Sequence, residues 1–122
     1  MEERPDALLD AVSQLRVRNP HVQGAAVITA DGFILASDMP GEDDPEELAA
    51  HASHVLDLAG EAVAGLDRGE LSEFYVRGDQ GFALVAAAGE GAYVLTLCDL
   101  DARLGLVLLA VRAACRVVEA EI

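Results

Sequence analysis

The alternation of apolar and polar residues predicts three helices and five strands in the order α-β-β-α-β-β-β-α. The first helix begins near Pro5 and ends at Asn19-Pro20, because a residue before proline avoids helical backbone. Its apolar face comprises Leu8, Leu9, Val12 and Leu15. Two apolar runs follow, at 23–30 and 33–37, and Asp31-Gly32 separates them. This arrangement predicts a hairpin with a type I′ turn, in which both central residues have positive φ.

The second helix is predicted to run from Pro45 to about Leu66. Asp44 as the N-cap and Glu47 three residues later are typical of a helix start. Apolar and small residues recur along it at alternating spacings of four and three, as in helix–helix packing. We call this stripe the seam: Leu48, Ala52, Val55, Ala59, Ala62 and Leu66. A second stripe lies beside it: Ala49, Ser53, Leu56, Gly60 and Val63. Such a wide arc predicts packing on a sheet and on another helix, which we expect a partner chain to supply.

The second half of the chain predicts three strands and a closing helix. The segment 71–77 mixes polar and apolar residues, which suits an edge strand, whereas 82–88 and 92–98 are apolar enough for central strands covered on both faces. The closing helix spans about 104–120, with its core face at Leu104, Val107, Leu108, Val111, Cys115 and Val118. We therefore expect a single domain, residues 1–122, built as an α/β (α+β) sandwich. A five-stranded antiparallel sheet would carry helices on both faces.

The charge balance narrows the choice of partner. The net charge is −14, from 22 acids and eight bases, and all of the bases are arginine. This excess of negative charge argues against nucleic acid and anionic membranes and favours a basic protein partner. The chain has no apolar run of transmembrane length, no signal-peptide pattern at its start and only two cysteines. We expect a soluble protein of the cytoplasm that does not insert into membranes.

No motif for catalysis or cofactor binding is visible. The chain lacks the P-loop pattern, the GxGxxG pattern of dinucleotide binding and the Gly-x-Ser-x-Gly nucleophile turn. The paired glycines at 89 and 91 and at 78 and 81 are typical of hairpin turns instead. We therefore predict a non-enzymatic binding module with no cofactor, no catalytic residues and no resident metal.

Four groups of residues have alternative interpretations. His51 and His54, with Glu47 and Asp57 one turn away, could bind a metal, but a solvated polar stripe is the simpler interpretation. Cys98 and Cys115 could pair or react, although buried inert thiols are the default. Three arginines could contact phosphate, or they could form surface salt bridges. The six acids within 38–47 could hold a hard cation, or they could remain solvated. These arginines are Arg77, Arg112 and Arg116.

The chain resembles the roadblock/LC7 family, which includes dynein light chains and bacterial gliding-motility regulators of the MglB type. The resemblance covers about residues 6–120 and rests on the order of several short segments, none of which is diagnostic alone. They are Gly24-Ala25-Ala26-Val27-Ile28, Asp31-Gly32, Ala36-Ser37, the alanine-rich second helix, Gly69-Glu70 and Leu104-Gly105-Leu106.

This resemblance implies the profilin-like fold order given above and a dimer, either of identical or of related chains. The third strands of two copies would pair across a two-fold axis, with the second helices side by side. The implied dimer interface is the seam together with Ser72, Phe74, Tyr75 and Val76. The family also implies partnership with a small Ras-like GTPase, whose hydrolysis some bacterial members accelerate without an arginine finger. Short members of the family, to which this chain is similar, are encoded beside a GTPase and a sensor kinase, so the resemblance also implies a sensor kinase or scaffold as a further partner.

Our leading hypothesis is a dimeric, non-enzymatic regulator or scaffold that binds a small Ras-like GTPase and modulates its activity or placement. We expect the partner to contact the exposed side of the second helix, namely Glu47, His51, His54, Asp57 and Glu61. The alternative is a structural adaptor, a light chain of a larger signalling or motor assembly without direct GTPase contact. A third hypothesis is a sensor domain with a small ligand between sheet and helices.

Overall fold

The computed structural model describes residues 3–42 and 44–122, without the side chains of residues 3–6. Residues 1–2 and Asp43 of the acidic run lie outside the described part. The elements are α1 (Glu3–Arg18), β1 (Val22–Thr29), β2 (Ile34–Asp38), α2 (Pro45–Gly65), β3 (Glu73–Gly78), β4 (Gly81–Ala87), β5 (Ala92–Cys98) and α3 (Leu104–Glu121). The predicted order is confirmed.

The five strands form one antiparallel sheet in the order β2-β1-β5-β4-β3. The most continuously apolar segments, β4 and β5, lie inside the sheet, as predicted for strands covered on both faces. The mixed segment β3 lies at one edge, also as predicted, and β2 lies at the other.

Helices cover the two faces of the sheet unequally. The larger core packs α1 and α3 against one face, around Val12, Val27, Val94 and Val111, all of which are fully buried. The smaller core packs α2 alone against the other face, through Ala49, Ala52 and Leu56. The α/β sandwich is therefore confirmed, but among the described residues one face has two helices and the other has a single helix.

The predicted type I′ turn between β1 and β2 is wrong. Only Gly32 has positive φ (92°), and Asp31 does not. The Gly32 N–H donates to the Thr29 carbonyl (3.0 Å) and the Thr29 N–H donates to the Phe33 carbonyl (2.8 Å), so the loop has three residues. A three-residue hairpin loop uses a type I turn followed by a left-handed residue, and here that residue is Gly32. A Cβ at Gly32 would lie 3.3 Å from the Ala49 carbonyl, so glycine also allows the hairpin to approach α2.

The face predicted for α1 is correct except at one residue. Leu8, Val12 and Leu15 are buried, whereas Leu9 is exposed. Leu9 follows Leu8 by one residue, a rotation of about 100° around the helix, and so points away from the sheet. On α3 the predicted core face holds, with Leu104 and Leu108 half-buried at its margins and Ala114 added to it.

The start of α2 is the cap that the sequence predicts. The Asp44 carboxylate accepts a hydrogen bond from the Glu47 N–H (3.1 Å), and Pro45 occupies the first turn. The residues buried against the sheet come from both predicted stripes, since Ala49 and Leu56 belong to the second stripe and Ala52 to the seam. No helix of the described residues packs on the remainder of the seam, because α1 and α3 lie on the opposite face.

One buried polar side chain lacks a hydrogen-bond partner within residues 3–42 and 44–122. Thr96 in β5 is fully buried, and its hydroxyl meets no donor or acceptor there. A buried hydroxyl without a hydrogen-bond partner costs about 1–3 kcal/mol of stability, and valine has nearly the same shape.

We predict that Thr96→Val raises the free energy of unfolding by about 1 kcal/mol, because it removes this desolvation cost without opening a cavity. Urea denaturation measures the change. Thr29→Val is the matched control, since the Thr29 hydroxyl accepts from the Phe33 N–H (3.1 Å) and its loss should not stabilise the protein. A Thr96→Val variant less stable than the wild type would contradict the prediction.

Candidate functional site

An apolar groove of about 190 Å³ runs along α2 on the side that faces β3. One wall consists of Leu48, Ala52 and Val55 from α2, and the other of Phe74 and Val76 from β3. Side chains of β4 and β5 form the floor, namely Ala83, Val85, Leu95 and Leu97. The groove exists because one helix is too narrow to cover this face of a five-stranded sheet.

The edge strand β3 borders this groove and is open on its outer side, since it pairs only with β4 among the described strands. Val76 is 52% exposed on the groove side. Tyr75 is 48% exposed on the opposite face, where its ring packs edge-on against Phe82 at 5.9 Å between centroids. Apolar side chains therefore line both faces of an edge that can accept another strand.

Contacts with the rest of the fold hold β3 in place. The Arg112 guanidinium of α3 forms two hydrogen bonds with the Glu73 carboxylate (2.5 and 3.2 Å). The Arg77 guanidinium lies 5.9 Å from the centre of the Phe82 ring, within range of a cation–π interaction. Of the two interpretations of the arginines, the surface salt bridge is the one observed for Arg112.

The residues that the sequence assigns to a dimer interface occupy different parts of this surface. Five of the ten line the groove: Leu48, Ala52, Val55, Phe74 and Val76. Ala59 lies further along α2 and is half-buried, while Ala62 and Leu66 are exposed near its end. Tyr75 lies on the other face of β3, and Ser72 precedes the strand and accepts a hydrogen bond through its carbonyl from the Ala87 N–H (2.8 Å).

The polar stripe assigned to partner binding is exposed at all five positions: Glu47, His51, His54, Asp57 and Glu61. His51 also lies at the rim of the groove, so the stripe and the groove are adjacent. From Asp44 to Asp67 the chain carries six acids and no arginine. The outer surface of α2 is therefore acidic, and it lies beside an apolar groove.

The metal site that the sequence left as an alternative on α2 is not assembled. Within residues 3–42 and 44–122, the ligating atoms of His51, His54, Glu47 and Asp57 do not converge as a group. Asp38, from the acidic run 38–47, forms an ion pair with Arg16 (2.8 Å). The simpler interpretation of both features, charged side chains at the surface, fits this geometry.

His21, in the loop before β1, has partners that no pattern in the sequence indicates. The His21 Nδ1 atom lies 3.1 Å from the Asp99 carboxylate, and Asp101 lies beside them. These residues meet because Val22 pairs with Cys98 in the sheet, which places the residue before β1 next to the residue after β5. Spacing along the chain holds no signal for a contact across 78 residues.

Both cysteines are free and buried, and neither is activated. Burial, aided by the nearby charge of Asp99, raises the pKa of Cys98 to about 11. Burial is also the main cause that raises the pKa of Cys115 to about 11, with smaller effects of Glu73 and Glu119. A nucleophilic cysteine needs the opposite shift.

Among the described residues, no helix combines the length and the apolar content needed to cross a bilayer.

The fold and this surface define a class, an α/β sandwich with an open sheet edge beside an apolar groove, and comparisons with known proteins identify the family. The sequence profile of the Roadblock/LC7 domain matches residues 8–97. An uncharacterised protein of Methanocaldococcus jannaschii is 32% identical over 99 residues, which cover 81% of this chain and 86% of that protein. The chain therefore belongs to the Roadblock/LC7 family.

Solved structures share the same fold. A Roadblock/LC7 domain from Streptomyces avermitilis superposes with a TM-score of 0.86 at 23% identity, covering 92% of this chain and 94% of that one. The gliding protein MglB from Thermus thermophilus superposes with a TM-score of 0.88 at 20% identity, covering 97% of this chain and 90% of that one. The predicted resemblance is confirmed.

We predict that both thiols resist alkylation in the folded protein. At pH 8, a pKa near 11 leaves only about 0.1% of a thiol as the reactive thiolate, against about 10% for a thiol with a pKa of 9. Iodoacetamide labelling followed by mass spectrometry should modify both cysteines in denaturant and neither in buffer. Rapid labelling of the native protein at one cysteine would contradict the assignment of that cysteine as inert.

Proposed function

We propose that this chain is a dimeric, non-enzymatic regulator or scaffold that binds a small Ras-like GTPase and modulates its activity or placement. The observation that carries the proposal is that the open β3 edge, the apolar groove and the acidic surface of α2 lie next to one another on one side of the molecule. Membership of the Roadblock/LC7 family supports it.

The open edge and the groove favour a second copy of this chain as the first partner. Antiparallel pairing of two β3 strands about a two-fold axis would extend the sheet to about ten strands and satisfy the free backbone groups of both edges. The same operation would bring the two α2 helices side by side over the grooves. Small seam residues such as Ala52 and Ala59 permit that close approach.

The acidic outer surface of α2 favours a partner with a basic docking face. In a dimer of this form the two acidic stripes would lie near each other, so their fields would add. Complementary charge raises the association rate and loses effect as salt screens it. A globular partner would then contact the exposed stripe while the apolar groove stays within the dimer.

We predict that Val76→Arg shifts the protein from dimer to monomer. Val76 is half exposed in the single chain, so the fold should tolerate arginine, but a dimer would bury two unpaired charges near the two-fold axis. A cost on the order of 3 kcal/mol raises the dimer dissociation constant about 100-fold. Light scattering after size exclusion separates the 12.8 kDa chain from a dimer.

Val117→Arg is the matched control, because Val117 is 50% exposed but lies on α3, on the other face of the sheet. This variant should keep the mass of the wild type. Ala59→Glu on the seam is a second disruptive variant and should act in the same direction. A wild type with the mass of one chain would refute the dimer, and a dimeric mass for both Val76→Arg and Ala59→Glu would refute this interface.

We predict that the tagged protein captures a Ras-like GTPase from a lysate of its source cells, with a preference for one nucleotide state. Parallel captures with a non-hydrolysable GTP analogue and with GDP, read by mass spectrometry, test this preference. The GTPase that is recovered is then purified and titrated directly. Its affinity should fall between low salt and about 0.5 M salt, because the contact is electrostatically steered.

Charge-reversal variants test whether GTPase binding depends on the acidic surface of α2 or only on the net charge of the protein. Glu47→Lys and Glu61→Lys should each weaken GTPase binding roughly three- to tenfold, whereas Glu121→Lys on α3 changes the net charge equally and should have little effect. Nucleotide-independent recovery of kinases or filament proteins without a GTPase would replace this proposal with the structural adaptor. A small molecule that copurifies with the chain would favour the sensor.

A further inference from the structure

Three potential metal ligands meet at one end of the sheet, away from the surface used in the proposed function. The ligating atoms of His21, Asp99 and Asp101 all lie within 4.8 Å of one another. They come from two loops, one between α1 and β1 and one between β5 and α3. This group lies beside α3, whereas the apolar groove lies along α2 on the other face.

The distances suit a first coordination shell. Zinc binds imidazole nitrogen at about 2.0–2.1 Å and carboxylate oxygen at about 2.0–2.2 Å, so tetrahedral ligand atoms are about 3.4 Å apart. The His21 Nδ1 atom is 3.1 Å from the Asp99 carboxylate. Asp101 is exposed, so its side chain can rotate to close the remaining distance.

Backbone contacts hold the two loops together before any ion binds. The Asp99 N–H donates to the His21 carbonyl (3.0 Å), and the Asp101 N–H donates to the Asp99 carboxylate (2.9 Å). This second bond aims the Asp99 side chain back towards its own loop. Two of the three ligands are therefore positioned by the fold, which reduces the ordering cost of binding.

A cavity of about 310 Å³ opens beside the group and leaves room for water ligands. Its lining includes His21, Asp101, Asn19 and Arg103. Arg103 is the nearby charge that opposes a cation.

We propose that His21, Asp99 and Asp101 form a binding site for one divalent transition-metal ion of the Zn²⁺ type, with water completing the shell. One imidazole and two carboxylates form a mixed nitrogen and oxygen donor set, which favours Zn²⁺ over the oxygen-seeking Mg²⁺. The bound ion would link the two loops and stabilise the end of the sheet.

Titration of the full chain with ZnCl₂ in a non-chelating buffer, by calorimetry and by thermal unfolding, tests the site. We expect saturable binding of one ion per chain and a rise in the melting temperature, because the ion binds the folded state. MgCl₂ at the same concentration should produce neither effect. His21→Ala should weaken Zn²⁺ binding at least about tenfold and abolish the thermal shift.

Asp99→Asn keeps a side-chain oxygen that can accept from the Asp101 N–H but removes the negative charge. It should also weaken Zn²⁺ binding. Arg103→Gln should strengthen binding, since it removes the opposing charge. His54→Ala is the matched control, an exposed histidine outside the group, and should leave binding unchanged. Equal Zn²⁺ affinity in the wild type and His21→Ala, or a loss in His54→Ala as large as that in His21→Ala, would overturn the proposal.

Discussion

The unequal coverage of the sheet is the constraint on which the rest of this structure depends. Two helices, α1 and α3, close one face around a large aliphatic core, and α2 alone covers the other. A single helix is about 10 Å wide, about two strands of a sheet whose strands lie about 4.8 Å apart. The groove beside α2, the exposure of Val76 and the open β3 edge all follow from this mismatch. A second copy of the same surface would correct it, which is the physical basis of the dimer we propose.

The two faces of the sheet also differ in the charges that their helices carry. The surface of α2 carries acids without arginine, whereas Arg112 and Arg116 lie on α3. The acids of α2 cannot be neutralised within their own helix, so their field extends into solvent and is available to a partner. On the α3 side, Arg112 is paired with Glu73, and this ion pair anchors the edge strand.

The features that sequence patterns did not predict depend on contacts between segments that are distant in the chain. His21 meets Asp99 because β1 and β5 are neighbours, although four other elements intervene in the chain. Leu9 is exposed because the sheet lies on only one side of α1. The hairpin after β1 follows the three-residue geometry instead of the predicted one, and Gly32 then approaches the Ala49 carbonyl of α2. Each of these depends on which surfaces meet, which periodicity within one segment does not encode.

The sequence by itself determined the elements, their order, the edge character of β3, the cap of α2 and the family. The structural features follow from local chemistry, namely apolar spacing, the Asp44 carboxylate near a helix start, and glycine at turns, whereas the family follows from resemblance to known sequences. Tertiary structure alone decided which stripe of α2 faces the sheet, that the groove lies between α2 and β3, and that His21, Asp99 and Asp101 share one site. A helix can bury only part of a wide apolar arc, and the choice depends on the shape of the sheet it meets.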